Sequence, residues 1–238
     1  MNTTAERLHH VRAEIAAACE RAGRSPDEVT LVAVTKTHPP ETVLEAIQAG
    51  ARDLGENRVY EGIEKMQAVR EITDTPARWH MIGNIQSRKT RDVAEWYDMV
   101  HSIDRVKIAR RLSDAAEERG ERLPALLEVN VSGEESKSGW RAWPPKEDDA
   151  FHRDLQTILA FPGVEIRGLM TMAPLVSDPE QARPYFVRLR QLRDKLAAAF
   201  PSAEWAELSM GMSSDFVVAV EEGATIVRVG RAIFGPRE

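Results

Sequence analysis

Eight short apolar or β-branched runs punctuate this 238-residue chain, at 31–34, 51–54, 78–82, 98–101, 126–131, 164–172, 204–208 and 225–229. Longer stretches with helical spacing separate them. Leu8, Val11, Ile15 and Cys19 step by three and four along the first stretch, and Phe186, Leu189, Leu192 and Leu196 do so again. Strands that alternate with helices run parallel, so the pattern predicts an α/β fold built on a parallel sheet. Nearly wholly apolar strands such as 31–34 suit a sheet covered on both faces. A strand count near eight and the chain length favour a closed (β/α)8 TIM barrel over an open doubly wound sheet. No glycine-rich dinucleotide turn follows the first strand, which points the same way. Pro39-Pro40 marks a helix start, because the first helical position needs no N–H, and Gly50, Gly120 and Gly223 mark helix stops. No composition shift divides the chain, so residues 1–238 are expected to form one domain.

With 42% hydrophobic and 29% charged residues, the chain is neither disordered nor fibrous. No apolar run approaches the roughly 20 residues that span a bilayer. The N-terminal residues carry no apolar signal core, and the lone Cys19 allows no intrachain disulfide, so a cytoplasmic location is expected. A formal net charge of −6 argues against nucleic acid as a partner. The six histidines are not spaced against Cys, Asp or Glu as metal ligands, and no metal is expected.

In a parallel barrel, reactive groups gather at the C-terminal strand ends. Lys36 closes the run 31–36 and is followed at once by the Thr37-His38-Pro39 turn. A lysine at a barrel mouth can lose its proton on desolvation and form imines with carbonyl compounds; the plainer alternative is a strand-end lysine in water. Near the C-terminus, 208–215 reads as a strand end, a small-residue turn and a helix start, with Ser213 or Ser214 as the cap of a helix over 216–220. Exposed N–H groups at such a start favour anions, and barrels commonly bind phosphate with the loops after strands seven and eight. Arg228, Gly230 and Arg231 end the last strand in that position. An imine-forming lysine opposite a phosphate cradle suits a phosphorylated aldehyde, of which pyridoxal 5′-phosphate is the commonest. Arg228 then faces the ring nitrogen and, always charged, keeps it unprotonated.

The whole chain resembles the pyridoxal phosphate homeostasis protein family, whose barrel is similar to the N-terminal domain of alanine racemase. The resemblance rests on segments in one order: 31–37, 54–57, 79–87, 101–104, 129–132, 135–139, 168–172, 208–213 and 227–235. It implies that Lys36 carries the cofactor as a Schiff base, that Ser209 and the backbone around Gly230 and Arg231 hold its phosphate, and that Asn57 lies near the ring. Two positions depart from the pattern: Asn84 stands where many relatives have histidine, and Arg231 where many have threonine, which removes a side-chain hydroxyl from the phosphate.

His80, within a strand, reads as a satisfied core histidine, and His9 and His10 as surface. The polar stretch 132–149 reads as a mobile loop that either gates the mouth or is plain solvated surface. Trp140 and Trp143 either dock it or offer a partner an apolar patch. Met170, Met172, Met210 and Met212 read as core. Three functions stay open. A carrier or regulator of pyridoxal phosphate, expected to be a monomer handing cofactor to apo-enzymes, needs only the site above, with no catalytic residue. An amino-acid racemase needs a second base, and Tyr60, Tyr97 and Tyr185 fall in helical stretches, with no length left for the β domain that supplies it in alanine racemase. A lysine-dependent aldolase would use the cradle for a sugar phosphate. The carrier is the expectation.

Overall fold

Each strand of the computed structural model is followed by a helix, and the helix stops are written in the residues that follow them. The structure describes residues 3–135, 137–145 and 150–235. In chain order the elements are α1 (Thr4–Arg21), β1 (Thr30–Val34), α2 (Pro40–Gln48), β2 (Asp53–Glu56), α3 (Val59–Arg70), β3 (Arg78–Met81), α4 (Thr90–Trp96) and β4 (Met99–Ile103). They continue with α5 (Val106–Glu118), β5 (Leu123–Glu128), α6 (Ala150–Leu159), β6 (Val164–Met170), α7 (Arg183–Ala199), β7 (Glu207–Ser209), α8 (Phe216–Glu221), β8 (Ile226–Val229) and α9 (Arg231–Phe234). The eight strands pair in sequence order, all parallel, and β8 closes on β1 with Val32 opposite Arg228. This is the closed (β/α)8 barrel that the alternation predicts.

Helix ends shift some strands from their expected places. Pro40 opens α2 at its first position, and Gly50 closes it at φ 93°. The Ala51 N–H then bonds the Ala46 carbonyl while Gly50 N–H bonds Ile47, a Schellman stop that absorbs Ala51 and delays β2 to Asp53. β5 begins at Leu123, three residues before the apolar run, because its pairing with β6 already starts at Leu123 opposite Val164. Past Glu128 the chain turns to Trp140, whose N–H bonds the Glu128 carbonyl, so 129–131 lie in a loop rather than a strand. β7 covers only Glu207–Ser209, the residues opposite Gly168 to Met170 of β6.

Two apolar bodies hold the fold. The larger lies between barrel and helices and includes the buried stripe Leu8, Val11, Ile15 and Cys19 of α1 and the stripe Phe186, Leu189, Leu192 and Leu196 of α7. The smaller contains Val32, Met99, Leu126, Met170 and Ile226, one from each of five strands, and fills the barrel interior. Met172 is an exception to the expected methionine core: it follows β6 onto the rim and is 40% exposed.

Of the stretch 132–149, residues 136 and 146–149 lie outside the described residues. In the rest, Asn130 Oδ1 accepts from the Ser132 and Gly133 N–H groups, and Trp140 Nε1 donates to Asp154 at 3.0 Å. Trp140 and Trp143 both pack on the core, which selects the docking alternative for them. No described helix is long and apolar enough to cross a membrane.

Candidate active site at the barrel mouth

A strand sends alternate side chains to opposite faces, so the inner parity of a barrel can be followed along each strand. Val32 and Ile226 belong to the inner body. Two and four residues on from Val32 come Val34 and Lys36; two and four on from Ile226 come Arg228 and Gly230. Asn57, one residue past β2, shares the parity of Asp53 and Gly55. Lys36, Asn57 and Gly230 are half-buried, Ser209 and Arg228 buried, and Arg231 exposed.

Closure changes one expectation. Lys36 and the Gly230 turn are not on opposite lips, because β1 and β8 are neighbours. A Cβ on Gly230 would stand 3.3 Å from the Val34 carbonyl oxygen, so only a bare backbone passes comfortably between β1 and the last loop.

The residues on either side of Lys36 are clamped. Buried Lys65 donates to the Thr35 carbonyl at 2.7 Å and to Glu56 Oε1 at 2.5 Å, and the Thr35 hydroxyl donates to the same Glu56 oxygen. The Thr37 N–H donates to Glu61 at 2.6 Å, and Thr37 sits at φ 66°, a left-handed backbone that costs a β-branched residue energy. Burial pushes the Glu56 carboxyl up, with Lys65 and Thr35 opposing, and its Oε2 has no hydrogen-bond partner.

Ser213 corrects the expected cap. Asp215, not Ser213 or Ser214, precedes α8 as its N-cap, and its carboxylate accepts from the Met212 N–H at 2.6 Å. The Ser213 hydroxyl oxygen instead accepts from the N–H groups of Gly230 (3.2 Å) and Ala232 (3.3 Å) at the start of α9. Gly211, at φ 92°, lets this turn lie against α8, where a Cβ would meet Phe216 Cα at 2.9 Å. Two N–H groups converging on one oxygen are the chemistry of an anion cradle.

Arg228 is held from two sides, its Nη1 donating to Ser209 Oγ at 2.5 Å and its Nη2 to the Thr171 carbonyl at 2.9 Å. Burial lowers its pKa to about 10 against the opposing charges of Asp215 and Glu128, so it stays cationic at neutral pH. Ser209 is fully buried, and its hydroxyl also lies 2.9 Å from His101 Nδ1. His101 Nε2 is 2.9 Å from His80 Nδ1, and His80 Nε2 is 2.9 Å from Asp53 Oδ1. Arg78, 65% exposed at its side chain, pairs with Asp53 at the far end of the barrel. Burial, with His80 and Arg228 adding, pulls the His101 imidazole well below its ordinary pKa. Burial works against ionised Asp53, yet bonds from His80 and Arg78 bring it below the ordinary carboxylate value.

His80 is thus a core histidine with both ring nitrogens engaged. His101, Asp53, Thr171, Glu128 and the Glu56–Lys65 pair had no role in the sequence reading. Their available signal was polarity within an apolar strand: His101 in 98–101, and Glu128 at the end of Leu-Pro-Ala-Leu-Leu-Glu. Burial pushes Glu128 up to about 7, with Asp104 adding and Arg228 opposing. Asn84 donates to Asp104 at 3.0 Å. Of the three tyrosines, Tyr60 and Tyr185 lie on helices and Tyr97 is buried with its hydroxyl on the Val59 carbonyl. Among the described residues, no cluster of His, Cys, Asp or Glu could hold a metal.

The donor set therefore comprises a half-buried amine, a buried guanidinium held by neutral acceptors, and a pair of convergent N–H groups. An aldehyde, a hydrogen-bond-accepting ring nitrogen and an anion are the groups it fits.

Residues 7–238 match the family described as alanine racemase, N-terminal domain. A Vibrio alginolyticus protein named pyridoxal phosphate homeostasis protein is 43% identical over 239 residues, covering 100% of this chain and 99% of its own. The Escherichia coli K12 protein of the same name is 40% identical over 243 residues, covering 100% and 98%. PipY of Synechococcus elongatus PCC7942, solved with PLP bound, superposes with a TM-score of 0.84 at 36% identity, covering 98% of this chain and 100% of that one. Alanine racemase of Clostridium difficile 630, at 15% identity and TM-score 0.70, shares the fold over 97% of this chain and 57% of its own.

Proposed function

The chain belongs to the pyridoxal phosphate homeostasis protein family, and from that premise we propose that it binds pyridoxal 5′-phosphate through Lys36 and holds it for the cell's apo-enzymes without turning over a substrate. The observation that carries this reading is the donor set around the β1–β8 seam. The Lys36 amine would condense with the cofactor's aldehyde, forming a C=N bond and releasing water. The N–H groups of Gly230 and Ala232, now on the Ser213 oxygen, are the support for a phosphate seat, with the Arg231 backbone beside them and its side chain in solvent. Ser209, expected at the phosphate, has its hydroxyl engaged by Arg228 and His101; its part in the reading is to hold Arg228. Arg228 would offer its guanidinium to the ring nitrogen, and Asn57, one residue past β2 and of inner parity, would flank the ring. Bound, the cofactor supplies an electrophilic carbon and a conjugated ring. A cation against that ring's nitrogen keeps it unprotonated and makes it a weak electron sink, which suits storage better than carbanion chemistry.

One observation favours a second reading, an amino-acid racemase. Glu128, buried at the end of β5 with the parity of the interior residue Leu126 and a pKa near neutrality, is a titratable group of the kind acid–base catalysis uses. The tests separate the two. Incubation with pyridoxal phosphate should give a visible absorption band, and borohydride should fix the cofactor on the peptide containing Lys36. Persistence of that labelled site's stoichiometry in Lys36→Ala would overturn the anchor. Sustained conversion of a single-enantiomer amino acid by the loaded protein, lost in Glu128→Gln, would replace the carrier by the racemase.

A further inference from the structure

The buried line from Arg228 through Ser209, His101 and His80 to Asp53 crosses the barrel interior from β8 and β7 to β4, β3 and β2. Its residues are 19 to 108 positions apart in sequence. We propose that His101, His80 and Asp53 are positioning residues for Arg228, fixing a one-way order of hydrogens that turns a lone pair of the Ser209 hydroxyl toward the guanidinium. This deepens the functional reading above and rests on its assignment of Arg228 to the cofactor ring.

The order follows from counting donors. An arginine only donates, so Ser209 Oγ accepts at the Arg228 end. An ionised carboxylate only accepts, so His80 Nε2 carries the proton that points at Asp53. With His80 neutral, its Nδ1 accepts, and the proton between the rings belongs to His101 Nε2. His101 Nδ1 then accepts, and the Ser209 hydroxyl donates to it. Each of the four contacts now holds one hydrogen, and no group is left over. A cationic His80 breaks this count. It would donate from both nitrogens, turn His101 over to its Nδ1–H form and point that proton at Ser209 Oγ. Ser209 would accept from both sides, with its own hydrogen lacking any recorded acceptor at a site of zero exposure.

Charged groups face the line from several elements. Asp53 of β2 lies between His80 and Arg78 of β3, bonded by both, and Arg228 of β8 faces His101 through Ser209. Asp215, before α8, and Glu128 of β5 bear on Arg228 from the other side. A guanidinium fixed only by neutral acceptors depends on the direction of those acceptors, because no carboxylate clamps it in the fork geometry that would fix it independently.

The test has two arms. In cofactor-free, 15N-labelled protein, two-bond proton–nitrogen spectra between pH 6 and 8 should show His101 neutral with its proton on Nε2, and a His80 proton on the Nε2 that faces Asp53, with assignments from Ser209→Ala and His101→Asn. A proton on Nδ1 of either ring would overturn the order. In the loaded protein, Ser209→Ala and His101→Asn should each release pyridoxal phosphate about tenfold more readily and alter the pH response of its absorption band. Asp53→Asn, whose amide oxygen still accepts from His80, should retain the cofactor better than Asp53→Leu. Bound cofactor with affinity and band indistinguishable among all these variants overturns the positioning role alone. Absence of any band in the wild type overturns the functional reading, and with it the purpose of the line.

Discussion

Glu128 is one carboxyl among apolar strand residues, only 4% exposed, and its ionisation sets a pH term for the whole barrel. The unfolded chain loses that proton near the ordinary value of about 4.3, the folded one near 7. Between those values the native state holds a proton that the unfolded state has released, so stability falls as pH rises through this window and is level above it. The term is on the order of 3 kcal/mol. Glutamine mimics the protonated side chain, so Glu128→Gln should match the wild type in thermal melts at pH 5 and exceed it at pH 8; a difference that does not change with pH would refute the assignment. Residues of this kind separate what a sequence reveals from what it hides. The rim position of Lys36 was legible because it ends an apolar run. The place of Arg228 on the last strand was legible because a cation interrupts a β-branched run. The His80–His101–Ser209 contacts were not, since period two gives each residue its face but not its partner across the barrel.

At the scale of elements, the clamp of β1, β2 and α3 shows how a helix fixes the conformation of a strand end. Lys65 of α3 reaches both the Thr35 carbonyl and Glu56 of β2, and Glu61 of the same helix takes the Thr37 N–H. Lys36 lies between those two threonines. Removing the ammonium while keeping Glu56 leaves a buried carboxylate alone, so Lys65→Met should cost about 3–5 kcal/mol in urea denaturation. Glu56→Gln combined with Lys65→Met removes both charges and should recover much of that loss; equal losses in the single and double variants would show that packing, not charge pairing, holds the loop. The same scale explains where strand boundaries departed from the apolar runs. Ala51 is apolar yet belongs to the stop of α2, and Val129 and Val131 are apolar yet lie where the chain turns to meet Trp140. Hydrophobicity reports burial, whereas the strand ends where its ladder partner ends. Ser213 fits this pattern: its position before α8 matched a helix cap, but closure brought the start of α9 within reach of its hydroxyl.

Closure is a property of the whole molecule, and it joins the first element of the site to the last. β8 meets β1, so Val34, two residues before Lys36, and Gly230 become neighbours only when every intervening strand has taken its place. A site assembled this way does not exist in the unfolded chain, and a ligand specific to it must stabilise the fold by mass action. Pyridoxal phosphate complicates the usual test, because its aldehyde reacts with any accessible lysine, folded or not, and a visible band alone does not distinguish the barrel mouth from the surface. Stabilisation does. Free cofactor at a hundred times its Kd should add about 2.7 kcal/mol. For a chain of this length that corresponds to roughly 5–10 °C in Tm, rising with the logarithm of concentration. Lys36→Ala keeps every surface lysine and should lose most of the shift. A wild-type protein that colours with cofactor without melting higher would have bound it on its exterior, in the native and unfolded states alike.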